Sequence, residues 1–223
     1  QSVSAENFFS TVDLYNQSLF YPYADSSDTS FLGLEDSLSG KLIPQLDAVA
    51  RMIRLGKTDY GFKRQIFFVL HGGFDTHGSQ ADVHPVLLRE LSLGLWKFQK
   101  ALEELGLENN VTTFTMSDFG RTMSNNGDGT DHAWGGHHIV MGGDGNNISG
   151  NLNGGQLLGT VPNVTLGGND DYSDKGRIIP TTSQDQLNAS ICQWFGVPTT
   201  DIETTLFPNL TNFSAKYLNL FAS

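Results

Sequence analysis

The chain has 223 residues, a formal net charge of −11 with only 13 Lys and Arg, and 38% hydrophobic and 11% aromatic residues. That is apolar material for one large domain or two small ones, and it argues against global disorder. So acidic a surface repels phosphate backbones and anionic lipid. Nucleic acid and an anionic membrane surface are therefore excluded as general partners, and an anionic substrate would need a local cationic centre such as a metal ion.

In chain order, Asn7 to Phe20 carries helix-like apolar spacing, and Tyr21 to Asp28 reads as loop. Ser37 to Leu55 is predicted as a helix, because Leu42, Ile43, Leu46, Val49, Ala50 and Ile53 recur at three and four, with Gly56 as its stop. Gln65 to Leu70 is an unbroken apolar run that suits a central parallel strand covered on both faces. A helix is predicted over Val83 to Leu105, with Leu87, Leu91, Leu95, Phe98 and Leu102 on its apolar side. Val111 to Met116 is predicted as a second buried strand, which completes a strand–helix–strand unit with a right-handed crossover.

Thr122 to Gly136 reads as a polar glycine-rich loop, His138 to Met141 as a short strand, and Gly142 to Asp174 as loops with short strand pairs. A last helix, capped at Thr182 or Ser183, runs to Phe195. The tail from Thr199 has scattered apolar anchors. The organisation expected is one α/β domain, or the carboxy-terminal half of one: a helical lead-in over 1–60, a metal-site core over 61–141 and a loop-rich region with a helix over 142–223. No apolar run reaches transmembrane length. The opening Gln1-Ser2-Val3-Ser4 lacks the basic and apolar regions of a signal peptide, so the chain reads as a mature or cleaved product.

The single cysteine, Cys192, excludes an internal disulfide and a thiolate cluster, and its apolar surroundings suit a core thiol. Any metal must use His, Asp, Glu or water. All six histidines lie between His71 and His138, in a window that also holds Asp75, Asp82, Asp118, Asp128 and Asp131. Imidazole and carboxylate are suitable ligands for zinc, manganese or iron. Asp75-x-His77 can offer both from one turn, and Gly72-Gly73 lets the backbone bend there. Two ligand-rich segments follow predicted strands, where open α/β sheets build their sites, so Asp75, His77 and Asp118 are expected on one rim. Asp131-His132 and His137-His138 follow on a glycine loop.

Several of these groups have a plainer reading. His71 can bond backbone, and His84 before Pro85 suits a cap or the surface. Neighbours on a strand face opposite ways, so only one of His137 and His138 would point at a site. Arg121 could meet an anionic oxygen or pair with Asp118. The cluster Asp170, Asp171, Asp174 could hold calcium but lacks the spacing of a helix–loop–helix calcium loop, which favours a solvated acidic loop.

Gly72-Gly73-Phe74-Asp75-Thr76-His77, Ser117-Asp118-Phe119-Gly120-Arg121, Thr130-Asp131-His132-Ala133-Trp134-Gly135, Gly176-Arg177-Ile178-Ile179-Pro180 and Trp194-Phe195-Gly196 occur in that order. Together they resemble the secreted bacterial family called domain of unknown function 1501, over about residues 40–210. That family is similar to the alkaline phosphatase and sulfatase superfamily. The resemblance implies a secreted, periplasmic or extracellular protein with a mainly parallel sheet sandwiched by helices, incomplete in this chain. It implies zinc or manganese, with calcium as the alternative, at Asp75, His77, Asp118, Asp131, His132 and His137, with Arg121 as an oxyanion contact. Phe119 stands where the superfamily has a histidine ligand, which breaks the two-metal pattern. Members are about twice as long, so the missing amino-terminal half, or another copy of the chain, is the expected partner. Two functions follow: a metal-dependent phosphate or sulfate ester hydrolase, and a non-catalytic extracellular structural or binding protein that keeps the fold. Metal content would separate them.

Overall fold

The computed structural model describes residues 42–143 and 152–221. The helix expected over Asn7 to Phe20, the loop after it and the start of the helix expected from Ser37 lie outside those residues. The chain divides into two compact units, with the boundary between Leu107 and Glu108.

In the first unit, α1 (Leu42–Thr58) and α2 (Gln80–Glu104) pack on each other. Leu42, Leu46, Ala50 and Ile53 of α1 are buried at helical spacing, as are Leu93, Phe98, Ala101 and Leu102 of α2. The helices approach over Gly94, where a Cβ would stand 3.0 Å from a methyl of Leu46. Buried Glu90 on α2 accepts the backbone N–H of Leu42 at 3.0 Å, so it satisfies one of the free donors of the first turn of α1. α1 passes through Gly56 rather than stopping there, since its apolar side continues to Leu55.

The expected alkaline-phosphatase-like α/β fold, with its mainly parallel sheet, is overturned. Among the described residues the named strands form two antiparallel two-stranded sheets. Gln65–Leu70 joins neither. It is extended, and Ile66, Phe68 and Leu70 are 81%, 87% and 67% exposed, while Gln65, Phe67 and Val69 are half-buried. Its anchor is the Gln45 side chain on α1, whose amide donates to the Leu70 carbonyl at 3.0 Å and accepts the Leu70 N–H at 3.2 Å. An amide side chain thus does for one residue what a neighbouring strand would do for the whole segment.

The second unit opens with β1 (Thr113–Phe114), the only strand within the expected Val111 to Met116. It pairs antiparallel with β4 (Val140–Met141), Thr113 facing Met141. Between them, β2 (Gly120–Asn125) and β3 (Thr130–Ala133) make a hairpin where a loop was expected. Gly120 faces Ala133 and Arg121 faces His132, with an irregularity before Asn125 and Thr130. Asn126 closes the turn: its N–H donates to the Gly129 carbonyl and its side-chain oxygen accepts the Gly129 N–H.

α3 (Gln184–Phe195) begins at Ser183, whose hydroxyl accepts the Asp185 N–H while Gln186 reaches back to the Ser183 N–H. A helical turn, Thr199–Asp201, a π-helical turn, Ile202–Leu206, and a 3₁₀ turn, Pro208–Asn212, follow it. Ala189, Ile202 and Leu210 are fully buried together, with Cys192, Val197, Phe207 and Phe213 packed around them. Glu203 ties this end down, accepting from Lys216 Nζ at 2.6 Å and Tyr217 OH at 3.1 Å. No helix among the described residues is long and apolar enough to cross a membrane.

Candidate metal centre

The first unit supplies an acid–imidazole pair. After the extended segment, the chain turns through Gly73 at φ 95°, and short bonds follow from Thr76 N–H to the Phe74 carbonyl and from His77 N–H to the Asp75 carbonyl. Thr76 is buried, which turns Asp75 and His77 outward on either side of it. Their side chains meet with Asp75 Oδ1 at 2.9 Å from His77 Nε2, both about half exposed. Phe74 anchors the turn, with His71 and His84 each edge-on to its ring, and His71 Nε2 lies 3.0 Å from the Leu87 carbonyl. His71 therefore takes the backbone-bonding role, and His84 an aromatic contact at the start of α2.

In the second unit, His132 lies on the exposed side of β3, while Ala133 beside it is buried. Its imidazole lies flat on the ring of Phe119, centroids 4.0 Å apart and planes within 4°. Its carbonyl accepts from Arg177 Nε at 3.2 Å, and Arg177 also reaches Ser173 Oγ at 3.1 Å. Further bonds from Met123, Ser124 and Gly135 to the carbonyls of Gly176, Lys175 and Ile178 fasten the hairpin to the 175–178 strip.

That strip is organised by Asp171. Its carboxylate accepts backbone N–H groups from Gly167, Ser173, Gly176 and Arg177 at 2.8–3.1 Å. Burial pushes its pKa up, but the four donors outweigh this and hold the carboxyl below its ordinary value. Asp171 is thus spent on the backbone, which the solvated-loop reading did not foresee. Asp170 likewise accepts the Asn163 N–H, at 2.7 Å.

The remaining expected ligands have other surroundings. Asp131 accepts from Asn126 Nδ2 at 3.0 Å, and its N–H donates to Thr122 Oγ1. Asp118 is exposed in the bend before β2, and His137 is exposed in the stretch before β4. Burial lowers the pKa of its neighbour His138, and so does the charge of His137, against a hydrogen bond with the Thr115 backbone that raises it. Arg121, the expected oxyanion contact, donates from Nε to Thr130 Oγ1 at 2.9 Å and from Nη2 to the Thr130 carbonyl. It braces the hairpin that carries His132.

Asp75 and His77, both exposed, are candidate ligands for a metal ion within the first unit. A carboxylate and an imidazole side by side are suitable ligands for a divalent metal ion. The residue that ligand chemistry overlooks is Phe119. Its signal in the sequence is its place two residues before Arg121, the residue that faces His132 across the hairpin.

The family described as "Protein of unknown function (DUF1501)" matches residues 57–201. No curated protein and no solved structure matches the chain.

Proposed function

The chain belongs to the DUF1501 family, and from that premise we propose that it binds a divalent metal ion, zinc or manganese, through Asp75 and His77. The observation that carries this is an exposed carboxylate and an exposed imidazole brought together on one turn. The Asp75–His77 pair stands at 2.9 Å. Two ligands on a tetrahedral ion at about 2.1 Å lie roughly 3.4 Å apart, so about half an ångström of side-chain movement would admit the ion. Bound there, a metal supplies a cationic centre on an acidic protein. It can polarise an oxygen ligand and lower the pKa of a bound water, which is the chemistry that metal-dependent catalysis would use. The test is titration of the chelator-treated chain with Zn²⁺ and Mn²⁺ by calorimetry. Wild type should bind one ion, and His77→Ala should bind far more weakly. Equal binding by the two chains would refute the assignment.

The exposed Ile66, Phe68 and Leu70 support a second proposal, that another polypeptide covers this face. An extended segment showing three large apolar side chains is a template for strand pairing. In the purified chain the available partner is a second copy. Light scattering should give a mass above one chain, reduced to one chain in Phe68→Lys. A wild-type monomer at every concentration would refute this.

A further inference from the structure

The turn of the β2–β3 hairpin reads Asn125-Asn126-Gly127-Asp128-Gly129. Asn126 and Gly127 are both exposed, Gly127 has φ 120°, and nothing lies within 4 Å of where a Cβ on it would stand. Asparagine followed by glycine is the pair whose side chain most readily cyclises onto the backbone, because no Cβ shields the glycine nitrogen. The Gly127 nitrogen attacks Asn126 Cγ. An N–Cγ bond forms, the Cγ–Nδ2 bond breaks, and Nδ2 leaves as ammonia with the proton of the Gly127 N–H. Water then opens the cyclic imide at either carbonyl. One opening gives an aspartate at position 126. The other gives an isoaspartate there, in which the chain runs through Cγ and is longer by a methylene.

In the closed hairpin the amide is held at both ends. Asn126 Oδ1 accepts the Gly129 N–H at 3.0 Å, and Nδ2 donates to Asp131 Oδ1 at 3.0 Å. Only this orientation of the amide satisfies both neighbours, since the N–H needs an acceptor and the carboxylate needs a donor. The Asn126 N–H also donates to the Gly129 carbonyl at 2.9 Å. The strands behind the turn are fastened by the Asp131 N–H on Thr122 Oγ1 and by Arg121 on Thr130. Cγ cannot swing onto the Gly127 nitrogen while both side-chain bonds stand. Either product removes the donor that faces Asp131 and sets a second carboxylate against it, and like charges so close repel.

We propose that Asn126 is a deamidation site guarded by its own hairpin. Closed, the hairpin keeps the amide intact. Opened, it releases the amide to cyclise, and the product carboxylate keeps the hairpin from closing again. The reactants are the chain and water alone. A second Asn-Gly pair, Asn153-Gly154, lies outside this hairpin, with Asn153 Nδ2 donating to Asn219 Oδ1 at 3.2 Å. It is the internal control.

The test incubates the full chain in mildly alkaline buffer, with and without urea, and follows both sites by peptide mass mapping, with isoaspartate identified by enzymatic methylation. In the folded chain Asn126 should convert about tenfold more slowly than in urea, as befits a step that waits on local opening. Arg121→Met removes the brace between the strands. It should speed conversion of Asn126 in the folded chain and leave Asn153 unchanged. Equal or faster conversion of Asn126 in the folded chain than in urea overturns the guard, and so does an equal rise at both sites in Arg121→Met. Asn126→Asp stands for the product. It should lower the urea midpoint, and Asn126→Asp/Asp131→Asn, which exchanges donor and acceptor, should recover it. A wild-type midpoint for Asn126→Asp overturns the claim that the product keeps the hairpin open. An unrecovered midpoint in the double variant overturns repulsion from Asp131 as the cause.

Discussion

Gly120→Ala should unfold the hairpin on which His132 stands. A Cβ at this buried position would overlap the carbonyl oxygen of Gly135 and stand 2.7 Å from its carbonyl carbon. Both are backbone atoms, so no side chain can rotate away. Ordinary contact begins at 3.4 Å and the oxygen is the nearer atom, so the two segments must part by about 1.6 Å. Gly135 has little room to retreat, because it donates to the Ile178 carbonyl at 3.0 Å and is packed against it. Overpacking of this kind costs about 1–3 kcal/mol, and a lost backbone hydrogen bond about 1 more. A total of about 3 kcal/mol lowers the ratio of folded to unfolded chain roughly a hundredfold. Urea unfolding followed by circular dichroism should show a midpoint lower by about 1–2 M. Gly154→Ala is the control, since that position is open and not left-handed, and it should stay within about 0.5 kcal/mol of wild type. Equal midpoints for the two variants would refute the steric argument.

Two further predictions concern stability. Ser183→Ala removes the acceptor for the Asp185 N–H and should cost about 1 kcal/mol, read from the same urea curves. No change would mean that the cap does not hold α3. Asp171 has a folded pKa below its ordinary value of 3.8. Its stabilisation is therefore fully present above about pH 4 and is lost as the pH falls through the lower folded value. Asp171→Asn should lower the melting temperature at pH 7 and flatten the acid limb of the wild-type profile. Parallel acid limbs for the two chains would rule out this role for the carboxylate.

The helices were largely legible in the sequence. The apolar spacing of 42–53 and of 87–102 is a local property, and so is the Ser183 cap with Gln186 three residues on. The sheet was not legible, because strand pairing is non-local. The run at 65–70 has the composition of a strand buried on both faces, yet alternate residues Ile66, Phe68 and Leu70 are exposed. Periodicity cannot distinguish a covered face from one awaiting cover. The β2–β3 hairpin was read as loop because its strands are polar and glycine-bounded: Gly120, Arg121, Thr122 and Ser124 on one, Thr130, Asp131 and His132 on the other. It is held instead by Arg121, Thr122, Asn126 and the Asp171 strip. At the candidate site the residue types were legible and their sorting was not. Asp75 and His77 pair on one turn, while Asp131 bonds to Asn126.

The most direct measurement of the central claim is anomalous diffraction from a crystal of the chain soaked in Zn²⁺. The account predicts a single strong peak at about 2.0–2.2 Å from the Asp75 carboxylate and from one nitrogen of His77. A peak elsewhere, with these two side chains unliganded, would contradict it, and so would no peak in a crystal whose His77 and Asp75 face open solvent.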